Sequence, residues 1–357
     1  MRIGIDIREL EKGKRTGIGR ILSGLLNYIS LNDTTNEYIL FGNQRTEIQK
    51  DWKIRVIRER ITFIWDQLKL PLALKREKVQ IFFSPYFKAP IFAHCPFITM
   101  ICDLTPLKNS GNVISKFYYA FWGRLCAKLA QKVITLSKYS RQELIKTLHI
   151  EKNKIIIVYP SVEIGRLEDW KIERIREKYG IESEFILWVG VMRQSKNLAR
   201  LIEAYKMLSD EIKDKYALVI AGKKNEYFRV LKNLVDRLGL EDKVLFPGFI
   251  TDEDLPVLYR SASLFVFPSL YEGFGIPPLE AMACGTPVVV ANTTSLPEII
   301  GTAGILVNPL DTDSLTKAMY DVLTNIELRS KMIEKGKILV KKFSVESMSQ
   351  KLLSELE

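Results

Sequence analysis

The chain predicts an α/β fold built from two doubly wound domains, each a parallel sheet covered by helices on both faces. Three observations carry this. Apolar strand-like runs alternate with stretches of helical period. The alternation restarts after a polar, charged stretch from Ser161 to Glu184. The 357 residues, 47% of them hydrophobic, are enough for two buried cores. The implied boundaries are 1–163 for a first domain and 164–342 for a second, with a last helix at about 343–357 packing back on the first. Two such sheets would face a central cleft at the carboxyl ends of their strands, where open α/β sheets bind ligands.

In the first half, RIGIDI reads as a strand, Ile18 to Ile29 as a helix, and EYILFG and IRVI as strands. Trp65 to Lys75 is a helix, followed by the strands IFFS and FITMIC. A helix from about Ser115 to Ala130, the strand KVITL, a helix from Lys138 to Leu148 and the strand KIIIVYP complete it. The second half opens with FILWVG, then a helix from Leu198, YALVIAG, a helix from about Tyr227 to Leu238, and KVLFPG. A short helix near Asp252 to Arg260, SLFVFPS, a helix from Pro277, PVVVAN and GILVNP follow. Runs that are apolar throughout suit strands buried on both faces of a parallel sheet. No short repeat links the halves.

Composition narrows the function classes. No apolar run approaches the roughly 20 residues of a membrane span, and MRIGIDIREL has no signal-peptide core, which places the chain in the cytoplasm. Cys95, Cys102, Cys126 and Cys284 form no CxxC pair and read as reduced core residues. His94 and His149 lack metal-ligand spacing, so no histidine metal centre is expected. The net charge of +11 admits nucleic acid, an anionic membrane or a phosphorylated substrate as partner. No nucleic-acid motif is present. Residues 50–78 hold nine Lys or Arg against four acids, interleaved with Trp52, Ile61, Phe63, Ile64 and Trp65, a mixture that suits either a lipid headgroup layer or a solvated face.

Three stretches carry chemistry. KRTGIGR follows the first strand and opens a helix; Gly17 and Gly19 suit either a tight turn or a close approach to an anion. GVMRQSKN places Gly190, Arg193 and Lys196 just before a helix, where the dipole disfavours cations, so a bound diphosphate would compensate. In LYEGFGIPPLEAMACGTPVVV, Glu272 precedes the turn Gly273, Phe274, Gly275, Ile276, and Glu280 falls in the first helical turn. The two carboxylates would accept hydroxyls of two rings, with backbone donors between them for a linking diphosphate. The third glycine of a dinucleotide fingerprint is missing, and no acid sits at its usual offset, which argues against a nicotinamide dehydrogenase.

EGFGIPPLE followed by AMACGTPVV resembles the retaining nucleotide-sugar transferases of glycosyltransferase family 4, which have the GT-B fold. GVMRQSKNLARLIEAY, TGIGR and ITLSKYSRQEL resemble further family segments, so the likeness spans nearly the whole chain. The resemblance implies that Arg193 and Lys196 hold the donor diphosphate, Glu272 the donor sugar, Glu280 the ribose, and the Gly17 to Gly19 loop the inner phosphate. It implies no metal or other cofactor, the nucleotide sugar being substrate. Where the family often has His-Asp, this chain has Cys102-Asp103, which leaves Asp103 as the polar group near the reacting centre. The motif looks most like mannosyltransferases of bacterial surface polysaccharides such as lipopolysaccharide. The expected reaction is mannose transfer from GDP-mannose to a lipid-linked or surface glycan, at the cytoplasmic membrane face. A UDP-sugar transferase of the same family and a non-catalytic sugar-nucleotide or glycan-binding subunit are the alternatives.

Overall fold

The computed structural model describes residues 1–12, 16–44, 52–105, 107, 113–163 and 171–357. Lys14, Arg15, Lys50 and Asp51 of the stretches above lie outside them. The chain forms two compact units, Met1–Ser161 with Phe343–Glu357, and Val162–Lys342.

The first unit holds β1 (Arg2–Asp6), α1 (Gly17–Asn32), β2 (Glu37–Gly42), β3 (Lys53–Val56), the helical run α2, β4 (Ile81–Ser84), β5 (Phe97–Met100), α3 (Val113–Leu129), β6 (Lys132–Thr135), α4 (Lys138–Leu148) and β7 (Ile155–Ile157). All pairings are parallel, in the order β3-β2-β1-β4-β5-β6-β7. Run α2 opens at Thr62–Ile64, widens to a π-helix over Trp65–Lys69 and closes as α-helix over Leu70–Arg76. Thr16 caps α1 by accepting the Gly19 N–H at 3.0 Å, and Ile21, Leu22, Leu25, Leu26 and Ile29 form its buried stripe. The IRVI strand is shifted by one residue to Lys53–Val56, and the KIIIVYP strand is shortened to Ile155–Ile157 at the edge of the sheet.

The second unit holds α5 (Ile172–Lys178), β8 (Glu184–Val189), α6 (Leu198–Lys206), α7 (Asp210–Lys215), β9 (Tyr216–Ala221), α8 (Glu226–Arg237), β10 (Val244–Gly248), α9 (Leu255–Ser261), β11 (Leu264–Phe267), α10 (Ile276–Ala283), β12 (Val288–Ala291), α11 (Leu296–Ile300), β13 (Ile305–Val307), α12 (Thr312–Thr324) and α13 (Ile326–Val340). Its parallel sheet runs β10-β9-β8-β11-β12-β13. Both sheets therefore have the doubly wound order, reversing direction between β1 and β4 and between β8 and β11. The alternation of strands and helices does not reveal α5, α7, α11, α12 or α13. Side-chain caps mark the last two, with Asp311 accepting from the Ser314 N–H at 3.0 Å and Asn325 from the Leu328 N–H at 2.9 Å.

The last helix, α14 (Val345–Leu353), packs on α1 within the first unit. Gly24 makes the approach possible, because a Cβ there would already touch Met348 and Val345 at 3.4 Å.

Of the cysteines, Cys95, Cys126 and Cys284 are buried, and burial pushes their thiols up to about 11, 11 and 12. Cys102 departs from the core expectation, being only partly buried, because it lies past the carboxyl end of β5. Both histidines are exposed, and His149 ends α4 in the left-handed conformation at φ 53°. Among the described residues, no helix is long and apolar enough to cross a membrane.

The ends of β8 and β9 meet edge to edge. Gly190 donates its N–H to Ala221 O at 3.0 Å, and a Cβ on Gly222, whose φ is 157°, would lie 1.9 Å from the Gly190 carbonyl oxygen. Gly222→Ala therefore forces the Gly190 loop to move and is expected to cost about 2 kcal/mol or more, read as a lower urea midpoint with unchanged slope. A midpoint equal to wild type would show that this contact is not tight.

Candidate active site

Two loops leave the second sheet at its reversal point. One follows β8, from Gly190 to Asn197, and the other follows β11, from Pro268 to Gly275. Strands β8 and β11 are neighbours although β9 and β10 come between them in the chain, so their loops diverge and leave a crevice. The Leu270 N–H donates to Ser195 O at 2.8 Å and ties the loops together. Beside it, Lys196 Nζ donates to Glu272 Oε1 at 2.6 Å, with the side chains only 21% and 13% exposed. The Phe267 ring lies 5.6 Å from the same ammonium. A pair this sheltered is screened less than one in open solvent.

The β8 loop is pinned from both sides. Asn225 Nδ2 donates to Met192 O at 2.7 Å, and Asn197, at φ 59°, donates its side-chain amide to Pro309 O at 2.7 Å. Arg193 is extended and exposed, immediately before the short 3-10 turn Gln194–Lys196. Lys196 closes that turn and the left-handed Asn197 leads into α6 at Leu198, so both cations stand just before the helix.

Glu280 stands elsewhere than expected. Gly275, at φ 109°, serves as the residue before α10, so the helix starts at Ile276 and Glu280 is its fifth residue, in the second turn. The carboxylate is buried, and Tyr259 O–H donates to Glu280 Oε2 at 3.0 Å. It acts as a fixed acceptor inside the fold rather than as a surface acid at the helix dipole. Gly273, Phe274 and Gly275 are buried, and Ile276 and Glu272 are partly so. A Cβ at Gly275 would meet Leu296 at 2.6 Å, so the turn lies directly on α11.

In the first unit, Gly17 and Gly19 form the first turn of α1. Thr16 takes the Gly19 N–H and in turn donates to Glu9 Oε1 at 2.7 Å, while Tyr86 O–H donates to Glu9 Oε2 at 3.0 Å. Beside this lies a group the motifs do not announce. Arg8 Nη2 pairs with Asp6 at 2.5 Å and Asp66 at 2.8 Å, and its guanidinium carbon lies 3.6 Å from the Trp65 ring centre. Burial opposes the Arg8 charge, yet the two carboxylates outweigh it and hold its pKa above the ordinary arginine value. Burial raises the Asp66 carboxyl despite Arg8, and burial with Asp6 and Glu9 raises the Tyr86 phenol. The acid–base alternation Asp6-Ile7-Arg8-Glu9 at a strand's carboxyl end was the available signal. Asp103 follows β5 and accepts the Thr105 N–H at 2.8 Å. The adjacent Cys102 thiol is raised by burial and by Asp103.

The structure thus brings Lys196, Glu272 and the Gly190 and Gly273–Ile276 turns to one edge of the second sheet. Gly17, Gly19, Cys102 and Asp103 belong to the first unit.

Two family models match the chain in turn, Glycosyltransferase Family 4 over residues 37–166 and Glycosyl transferases group 1 over residues 171–338. O-antigen chain mannosyltransferase B of Escherichia coli is 34% identical over 228 residues, covering 63% of this chain and 60% of that protein. O-antigen chain mannosyltransferase RfbU of Salmonella typhimurium is 31% identical over 248 residues, covering 70% of this chain and 65% of that one. The chain spans less than two thirds of the length of either relative. Among solved structures, Anabaena HepE in complex with UDP-glucose superposes with a TM-score of 0.80 at 18% identity, covering 100% of this chain and 99% of that one. With the two matches falling in order on its two doubly wound sheets, the chain belongs to glycosyltransferase family 4 and has the GT-B fold.

Proposed function

We propose that the protein is a retaining hexosyltransferase that moves mannose from GDP-mannose to a lipid-linked or surface-polysaccharide glycan. The observation that carries this is the Lys196–Glu272 pair at the reversal point of the second sheet, where a cation for a diphosphate and a carboxylate for sugar hydroxyls stand 2.6 Å apart. The mannosyltransferase names of the O-antigen relatives support the sugar and the polysaccharide setting.

In this reading Arg193 and Lys196 bind the donor diphosphate and offset the charge it gains on leaving, the electrostatic term that usually dominates such steps. Glu272 orients the donor sugar, Glu280 accepts the ribose hydroxyls, and the Gly17 to Gly19 turn approaches the inner phosphate. The acceptor hydroxyl attacks the anomeric carbon on the face the diphosphate leaves, and the departing phosphate oxygen takes its proton. Asp103 orients the reacting groups. No metal is required, because the cations and backbone N–H groups do that work.

The donor assignment is tested by thermal shift with a panel of GDP- and UDP-sugars, in wild type and Glu280→Ala. GDP-mannose should raise Tm most, with GDP also effective. Glu280→Ala should weaken GDP and GDP-mannose alike, by about 1.5 to 3 kcal/mol in calorimetry, since the ribose is common to both. A larger shift with a UDP-sugar would change the donor, and unchanged GDP affinity would leave Glu280 only its bond to Tyr259.

Several cations of residues 50–78 are already paired within the fold. Lys53 pairs with Glu37 and Glu77, Arg55 with Glu77, and Lys69 with Glu59. Trp65 is buried under Arg8, so it cannot enter a headgroup layer. What Ile61 and α2 expose instead is the Ile61, Phe63, Leu68 and Leu72 side chains, beside the exposed Arg58, Arg60, Lys75 and Arg76. Phe63 also leans on Trp122 of α3, ring centres 5.7 Å apart. We propose that this face seats the enzyme peripherally on the anionic cytoplasmic membrane surface, each cation contributing about 1 kcal/mol. Wild type should sediment with anionic but not neutral vesicles at low salt, and Arg58→Ser with Arg60→Ser should reduce recovery. Equal supernatant recovery in every condition would make the acceptor contact purely glycan-mediated.

A further inference from the structure

Glu272 is gripped at three points, and only one is its side chain. Its N–H donates to Thr294 Oγ1 at 3.2 Å. Its carbonyl oxygen accepts from Ser295 Oγ at 3.1 Å, and the same hydroxyl lies 2.8 Å from Phe274 O. A third hydroxyl, Thr293 Oγ1, donates to Ser269 O at 3.2 Å, at the start of the same loop. Three consecutive hydroxyl residues after β12 therefore hold the whole loop that follows the neighbouring strand β11.

The hydroxyls are aimed by their own local bonds. Thr294 Oγ1–H is committed to Thr293 O at 2.8 Å, which leaves its lone pairs for the Glu272 N–H. Ser295 is fully buried, so its proton has the two loop carbonyls as acceptors rather than water. Thr294 reaches its position at φ 56°, the left-handed region that a β-branched residue rarely adopts. Glycine would fit that backbone without strain but would carry no hydroxyl. A strained conformation retained where an unstrained residue would fold is a pointer to function.

We propose that Thr294 and Ser295 are positioning residues for the transfer reaction, fixing the Glu272 peptide so that its carboxylate meets Lys196 and the donor sugar in one orientation. This rests on the reading of Glu272 given above. Because the clamp acts on the peptide of a group that meets the sugar, while GDP keeps Arg193, the Lys196 charge and the Glu280 acceptor, its loss should appear in kcat and spare GDP affinity.

The test compares Thr294→Gly, Thr294→Ser, Ser295→Ala and Glu272→Gln. Thr294→Gly should lower kcat with GDP-mannose about tenfold or more, since small misplacements at a reacting centre have large effects. Its Tm should equal or exceed that of wild type as the left-handed strain is relieved. GDP affinity by calorimetry should be unchanged, and Thr294→Ser, which keeps the hydroxyl, should restore kcat. Ser295→Ala should lower kcat with the same sparing of GDP affinity. Wild-type kcat in Thr294→Gly, while Glu272→Gln is inactive, overturns the clamp and leaves the role of Glu272 standing. Wild-type kcat in Glu272→Gln overturns the underlying reading as well. A loss of kcat shared by Thr294→Ser, or accompanied by a matching fall in Tm, also overturns the proposal, because it marks a structural role only.

Discussion

The reversal of strand order between β8 and β11 governs the second unit. It sets two loops side by side whose strands are adjacent in space but distant in the chain, and the Lys196–Glu272 pair closes the gap between them. Neither side chain would be held there by its own loop alone. The β8 loop is pinned by Asn225 and Asn197, the β11 loop by the hydroxyls after β12, and the ion pair is the point where these two sets of constraints meet. A site built this way is preorganised by rigid elements, which limits the reorganisation needed when charge develops on a leaving group.

The first unit repeats the topology with different chemistry. At its reversal point stands Arg8, sandwiched between Trp65 and two carboxylates, with Glu9 joining the cap of α1 to Tyr86. Removing one partner from such a buried group would strand an uncompensated charge, so the network fixes the loop after β1 firmly. The net charge of +11 is correspondingly less free than it looks. Lys53, Arg55 and Lys69 spend their charge on Glu37, Glu77 and Glu59, and exposed apolar side chains on α2 become as important as the cations for any surface contact.

Much of this was legible in the sequence. Buried strands such as FILWVG and PVVVAN declare themselves, because a parallel sheet covered on both faces tolerates only apolar runs. The Glu272 turn was legible too, since glycines and a Pro-Pro pair leave few alternatives to a strand–turn–helix. Glu280 was misplaced by one residue because Gly275, at φ 109°, lets the helix begin at Ile276, before the prolines. Trp65 was read as a surface aromatic because its partner Arg8 lies 57 positions away in the chain, and no local pattern encodes that contact. The same holds for Thr294, whose bond to Glu272 spans 22 residues. Contacts between loops of neighbouring strands are set by sheet order, which is a property of the fold and not of any window of sequence.

The central claim is that Lys196 and Glu272 act as one unit in hexosyl transfer, and a double-mutant cycle on kcat/KM with GDP-mannose tests it most directly. Lys196→Ala and Glu272→Gln should each depress the rate, and the double variant should lose less than the sum of the two effects, giving a coupling of about 1 kcal/mol or more. Strictly additive losses, or a single variant with wild-type kcat/KM, would contradict the account.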